Sequence, residues 1–457
     1  MCRGFKFRTV FKGFIVSCMI LAAFAPCLAV AEPNSGGQKS VAEIVSKAVR
    51  EQRILYKLTT LDEFKQIAGQ PISDKTTTVG GLEVCEIAYS DIFARFGKVK
   101  DNPMPFTILQ LAGKGMSFDI GKNRQITLRD TDDLGKIDPF LGFANMSLVN
   151  LDLREQRKVL DEMSFDTFTK WPKQKKLPKG FNPAHLLEEG KNPGLGVRAL
   201  HKRGIDGRGV VIAIVDQPLL PNHQEFAGKI VKYEGARAKE PQMHSPPVVS
   251  VAVGEQCGVA PAARVYYYAL PAVSMPDNGL YCDIIDKIIK ENQSAGVSEK
   301  VRVVNISSGT FRRQANFDRW KETVTKAREN GILVVTCDDA LMNYGLLERI
   351  TDRDADSPSG YKAGKFSGKD NIFMVPAGNR TTAGYLAADA YTFWRQGERS
   401  WAAPYLAGLA ALAYQVDPEI KPVEIVKLWI DTAIKTNAGF VIDPTGFIEA
   451  VQRTKPK

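Results

Sequence analysis

Gly209-Val210-Val211-Ile212-Ala213-Ile214-Val215-Asp216 is an almost purely aliphatic run that stops on a carboxylate. A strand with apolar residues on both sides of its pleat has both faces covered, which is the habit of parallel sheets rather than of half-solvated antiparallel ones. Outward from it, residues 264–270, 301–306, 332–335 and 372–375 read as further strands. Helical patterns fall over residues 283–293, 317–330, 401–414 and 423–432. Strands alternating with helices predict an α/β domain with a parallel sheet carrying helices on both faces. In such sheets functional groups gather just past the carboxyl ends of strands.

The remainder of the chain is organised differently. Its 457 residues are 25% charged and 44% hydrophobic, an ordinary globular balance that excludes wholesale disorder. With 38 Gly and 25 Pro and no repeat period, collagen-like and low-complexity classes are excluded too. Residues 1–31 read as a signal peptide. Arg3, Lys6, Arg8 and Lys12 open it without an acid, an apolar stretch broken by Pro26 follows, and Ala29-Val30-Ala31 forms a small-x-small cleavage site. An uncleaved anchor is the competing reading; Pro26 and the small-residue exit favour cleavage, so no stable membrane anchor is expected afterwards. Export to the periplasm, the cell envelope or the medium follows from this.

Of the 61 basic residues, four lie in that segment, leaving 57 against 51 acids, a net +6 on the mature chain. Spread over this length, such a balance gives no support to nucleic acid as a partner. Three of the seven cysteines leave with the signal. The four that remain, Cys85, Cys257, Cys282 and Cys337, are too few for a disulfide scaffold. Residues 32–169 mix a helix over Val41 to Gln52 with short strand-like runs, such as Phe106 to Leu111, and predict a separate N-terminal α+β domain. Residues 170–190 open with five lysines, two prolines and a glycine over Lys170 to Gly180 and read as a basic linker, a solvated connector or a site cut during maturation. The α/β domain then occupies residues 191–457.

Three residues at element ends carry candidate chemistry. Asp216 ends the buried run and, taken alone, reads as a turn cap before Pro218. His244, one of four histidines, precedes Ser245-Pro246-Pro247, where proline in a first turn predicts a helix start. Ser400 precedes the apolar Trp401-Ala402-Ala403-Pro404 stretch and by itself is a helix cap. Together, in the order Asp, His, Ser on an α/β sheet, they match the chain order of the subtilisin catalytic triad.

On these residues the chain resembles the subtilisin-like serine peptidases, or subtilases, over roughly residues 195–435. Ile212 to Asp216 resembles the aspartate strand of the family. His244 to Gly254, with Cys257-Gly258-Val259-Ala260-Pro261, resembles its histidine helix and following turn. Val304-Asn305-Ile306-Ser307-Ser308-Gly309 resembles the substrate-binding strand, and Ser400-Trp401-Ala402-Ala403-Pro404 resembles the serine motif S-x-A-A-P. The resemblance implies an endopeptidase in which Ser400 attacks a peptide carbonyl, His244 moves its proton and Asp216 orients the imidazole. It implies an extended polypeptide substrate added as a strand along Ser307, Ser308 and Gly309. No cofactor is required and no metal site is assigned; structural calcium stays open, without support from the sequence.

The departures are specific. Asp216-Gln217-Pro218 stands for D-T/S-G, His244-Ser245-Pro246-Pro247 for H-G-T-H, and Glu398-Arg399-Ser400 for G-T-S. Where the family places an A-G-N motif whose asparagine stabilises the oxyanion, the chain runs through Cys337-Asp338-Asp339-Ala340-Leu341-Met342-Asn343. Asn343 and the Pro376-Ala377-Gly378-Asn379 look-alike are the two replacements at hand. Losing one such donor costs about 2.7–4 kcal/mol in the subtilisin case. Two rivals follow: a catalytically impaired relative that binds peptides, and an envelope adhesion or structural protein whose function lies in the N-terminal domain. Residues 32–169 themselves read as a propeptide or an accessory domain.

Overall fold

The structure is a computed structural model that describes residues 40–454 apart from 52, 80–81, 100–104, 114–115, 118–124, 237–241, 272–276, 310, 339–342 and 366–371. The signal-peptide reading of residues 1–31 therefore lies outside the described residues. The chain forms two compact units, one of residues 1–160 and 168–179, the other of 161–167 and 180–457.

In the first unit, α1 (Val41–Arg50) turns Ala42, Val45 and Ala48 inward at helical spacing, and the Ser40 side chain caps it by accepting from the Glu43 N–H. A capping box between Thr60 and Glu63 starts α2 (Leu61–Ala68). Both helices pack on an antiparallel sheet of β1 (Ser73–Val79), β2 (Leu82–Ala88), β3 (Ile92–Val99), β4 (Thr107–Gly113) and β5 (Met116–Ser117), around Phe64, Ile87, Phe96 and Ile108. A short parallel pair, β6 (Ile126–Thr127) with β7 (Met146–Ser147), and the single turn α3 (Arg157–Leu160) complete it.

The lysine-rich stretch expected as a connector is ordered instead. The Leu148 N–H donates to the Lys170 carbonyl at 2.7 Å, and the Leu153 N–H donates to the Lys176 carbonyl at 2.8 Å. Trp171 packs edge-on against Phe143, while Pro172 and Leu177 are buried. The lysines misled because their heads stay in water while the apolar residues between them pack. Residues 183–189, also within the expected linker, form α4 (Pro183–Glu189) of the second unit, capped by Asn182.

The second unit begins with β8 (Phe165–Asp166), followed by α4 and α5 (Val197–Lys202). Its central sheet runs β10 (Ile230–Gly235), β11 (Arg264–Ala269), β9 (Val211–Asp216), β12 (Val301–Ile306) and β13 (Leu333–Thr336), with every neighbouring pair parallel. All of β9 is buried, as its aliphatic run requires. Val211, Ala213 and Val215 face a cluster built with α7 (Asn278–Ser294) and α8 (Phe317–Glu329). Strand alternation sends Ile212 and Ile214 to the opposite face, where α6 (Ser245–Val253) packs on α9 (Arg399–Val416), and α9 lies along β12 and β13. Helices thus cover both faces. The chain leaves β9 toward β10 on one side and leaves the adjacent β12 toward β13 on the other, so the carboxyl ends of β9 and β12 flank a topological switch point.

Residues 372–375 were expected in this same sheet. Their strand, β16 (Phe373–Gly378), instead joins a second, mixed sheet ordered β15 (Tyr361–Ala363), β14 (Tyr344–Arg349), β16, β20 (Gly439–Val441) and β19 (Ile434–Thr436). The three-strand sheet of β17 (Arg380–Ala383), β18 (Tyr391–Trp394) and β8 is antiparallel. Helices α10 (Pro422–Asp431) and α11 (Pro444–Thr454) pack on each other, and α11 packs on α9. No helix among the described residues is long and apolar enough to cross a membrane. All four described cysteines are buried and unpaired.

Candidate active site

Asp216 is the last residue of β9, at the switch point, and is 4% exposed. The Gln217 N–H holds the carboxylate with a charge-assisted hydrogen bond to Oδ1 at 2.7 Å, and the Ser245 hydroxyl lies 3.2 Å from the same atom. The single Ser245 proton has a nearer acceptor in the Gln217 carbonyl at 2.8 Å, which the Tyr267 hydroxyl also reaches. The turn after β9 is thereby tied to the start of α6.

His244 occupies the N-cap position of α6, and Pro246 and Pro247 stand in the first turn, as the residue pattern predicts. Its Nδ1 lies 2.8 Å from Asp216 Oδ1 and 3.1 Å from Oδ2. A proton on Nδ1 shared with the carboxylate makes Nε2 the unprotonated, accepting nitrogen of the neutral ring. Burial disfavours the charged imidazole. The Asp216 charge, the Asp216 hydrogen bond and the Glu398 charge together outweigh burial, so His244 titrates above its ordinary value. The Trp401 ring lies 5.4 Å from the imidazole, centroid to centroid, at 38°.

Two of the other histidines are spent elsewhere. His223 Nε2 faces the Ala390 carbonyl at 2.7 Å while its Nδ1 accepts from the Glu225 N–H. His201 Nε2 faces the Val259 carbonyl at 2.8 Å. Burial lowers both below the ordinary value.

Ser400 is the second residue of α9 and is 8% exposed. It sits against the segment that follows β12: the Ser307 hydroxyl donates to the Ser400 carbonyl at 3.2 Å, and the Ser400 hydroxyl lies 3.5 Å from the Ser307 carbonyl. Asn305 Nδ2 donates to Ser307 Oγ at 3.2 Å. Gly309 is held against the end of β13, where an added Cβ would lie 2.9 Å from the Cys337 carbonyl oxygen, and the Cys337 N–H donates to the Ser308 carbonyl at 2.9 Å. Burial pushes the Cys337 thiol up to about 12, against the pull of the Arg399 charge and the Ser400 hydroxyl. It therefore stays protonated and does not compete as a nucleophile.

The fold thus gathers Asp216, His244, Ser307, Ser308, Gly309 and Ser400 at the carboxyl ends of β9 and β12 and the starts of α6 and α9. Ser245, Glu398, Arg399 and Trp401 were not singled out from the sequence. Ser245, Glu398 and Arg399 stand where the family motif has a different side chain, and that departure was the available signal; Trp401 fills the unspecified position of the serine motif, which gave none. Of the two asparagines considered as oxyanion donors, Asn379 is engaged elsewhere: its Nδ2 donates to the Arg349 carbonyl at 2.7 Å. Asn343 begins the run into β14, and residues 339–342 before it are outside the described residues. The described residues contain no group of three or more His, Cys, Asp or Glu placed to hold a metal ion.

Residues 207–392 match the model of the Subtilase family. Over that range the second unit is similar to the subtilases, with departures at the motif positions. The match spans Asp216, His244 and the Ser307 segment and stops before Ser400. Among solved structures, the chain is similar to fervidolysin from Fervidobacterium pennivorans, described as a keratinolytic enzyme related to subtilisin (17% identity, 57% of this chain and 45% of that one, TM-score 0.44). It is similar to the prenylagaramide maturation protease PagA (16%, 56% and 98%, 0.44) and to the A-subunit of an AB5 toxin from E. coli (15%, 57% and 98%, 0.45).

Proposed function

We propose that the chain is an exported serine endopeptidase working through Asp216, His244 and Ser400. The observation that carries this reading is the 2.8 Å contact from His244 Nδ1 to Asp216 Oδ1, made by a histidine whose ring also packs on the residue after Ser400. In the proposed reaction Ser400 Oγ forms a bond to the carbonyl carbon of a peptide, and its proton passes to His244 Nε2. The carbonyl electron pair moves onto oxygen. On collapse, the proton goes to the departing amine, and water repeats the sequence on the acyl-enzyme. Asp216 keeps the imidazole in the needed tautomer and offsets its charge.

The substrate is an extended polypeptide lying along Ser307 to Gly309, where backbone pairing gives affinity with little demand on side chains. Residues 1–31 direct export to the periplasm, envelope or medium, and no cofactor takes part. Hydrolysis of an unstructured protein such as casein by the purified chain, lost in Ser400→Ala, tests the reading. A folded protein inert toward peptides of every class would sink it.

One observation favours a second reading, a peptide-binding relative with little catalysis. Buried Asp338 follows β13, where a carboxylate would oppose an oxyanion. Tight peptide binding without turnover would support that alternative.

A further inference from the structure

Acyl transfer at Ser400 needs positive or hydrogen-bond-donating groups aimed at the oxygen that becomes negative. Asn379 is committed to a backbone carbonyl, and the position expected to carry an amide holds Cys337 and Asp338. The first-turn N–H groups of α9 supply part of the need. A second donor, from a side chain, is still needed.

Arg399 directly precedes Ser400 and is 8% exposed. Its guanidinium carbon lies 4.7 Å from the centre of the Tyr344 ring, a phenol anchored by its own hydrogen bond to the Thr336 carbonyl at 3.0 Å. Thr336 ends β13 and Cys337 follows it, so the guanidinium sits where the asparagine-bearing loop of the family would begin. The Cys337 N–H donates to the Ser308 carbonyl at 2.9 Å, and the neighbouring Ser307 hydroxyl donates to the Ser400 carbonyl at 3.2 Å, so the end of β13 and the start of α9 meet at the same segment. Yet Nη1 of Arg399 is buried and has no hydrogen-bond acceptor. A buried N–H left unmade costs stability and calls for an occupant.

We propose that Arg399 is a catalytic residue that donates from its guanidinium to the oxyanion formed when Ser400 attacks, in place of the amide the chain lacks. The inference rests on the peptidase reading. It adds a consequence: a full positive charge, rather than a neutral amide, meets the developing negative charge, offsetting Asp338 on the neighbouring strand end. The planar fork of arginine holds its donors in fixed directions, whereas a lysine presents a mobile point charge.

The test measures kcat and KM on a peptide substrate, with the rate of Ser400 labelling by a fluorophosphonate, for wild type, Arg399→Met and Arg399→Lys. Loss of the donor is expected to lower kcat and the labelling rate roughly a hundredfold in the methionine variant, with KM and melting temperature near wild type. The lysine variant is expected to recover part of the loss. Equal activity in the methionine and lysine variants, whatever its level, overturns the proposal. Should Arg399→Met not fold, Arg399→Ala is assayed with added guanidinium or sodium chloride at equal ionic strength. Faster labelling with guanidinium supports the proposal, and no difference between the salts overturns it. A wild type that neither hydrolyses peptide nor labels defeats the peptidase reading itself, and this inference falls with it. An active wild type alongside an equally active Arg399→Met defeats this inference alone.

Discussion

Asp216 Oδ1 lies 2.8 Å from His244 Nδ1, although 28 positions separate the two residues in the chain, because one ends the central strand and the other caps the helix beside it. The pair is held on both sides: the Gln217 N–H donates to the carboxylate, and Trp401 packs on the imidazole. Asp216→Asn keeps the shape but offers an amide N–H to Nδ1, which favours the wrong tautomer. A fall in kcat of roughly ten-thousandfold is expected, by the precedent of serine peptidase triads, with the circular dichroism spectrum unchanged. A loss under tenfold would contradict an orienting role for Asp216.

The Glu398 charge helps to raise the His244 titration, and this has a signed effect on rate. The neutral imidazole is the base, so activity rises with pH through the raised value. Glu398→Gln removes one raising cause and moves the acid limb of the kcat/KM profile to lower pH. Stability follows the opposite course. A histidine held above its ordinary value contributes stability that is full below that ordinary value and lost as pH rises through the folded value. The pH profiles of wild type and Glu398→Gln check the shift; a limb that moves upward contradicts it.

Gly408 lets α9 approach the turn after the histidine helix. An added Cβ would stand 2.6 Å from Val259 Cβ and 3.2 Å from the Ala252 carbonyl oxygen. Alanine gains about 1 kcal/mol over glycine inside a helix. Forced overpacking costs about 1–3 kcal/mol, and here the obstacles lie at or next to the backbone, so crowding wins. Gly408→Ala is expected to lower the melting temperature in a thermal scan.

At Gly309 the same test concerns the substrate. An added Cβ would meet Cys337 O at 2.9 Å and Cys337 C at 3.0 Å, both backbone atoms. Gly309→Ala must shift the end of the peptide-binding segment away from β13. A several-fold rise in KM for extended peptides is expected, with a smaller change in kcat; steady-state kinetics separate the two.

How much of this was legible in the residues depended on how strongly each signal was local. The aliphatic run through Val215 and the proline pair after His244 specify their elements by themselves, and the structure places both as read. Strand β10 escaped notice because Ile230 to Gly235 lies at a sheet edge and is only half buried, without an aliphatic run. The Lys170 to Lys179 stretch misled because charge density hid the packing of Trp171, Pro172 and Leu177. Assigning residues 372–375 to the central sheet failed because a strand pattern reveals burial but not its neighbours, and β14 draws that strand into a second sheet. At the site, residue types and order pointed to Asp216, His244 and Ser400. The setting of Arg399 depends on a long-range contact with Tyr344, which no local pattern encodes.

The most direct measurement is mass spectrometry of the intact, folded protein after exposure to a fluorophosphonate, with the adduct mapped to a residue. The account predicts a single adduct on Ser400 that disappears in a folded His244→Ala variant. An unmodified Ser400 in the wild type, or labelling of His244→Ala at the wild-type rate, would contradict it.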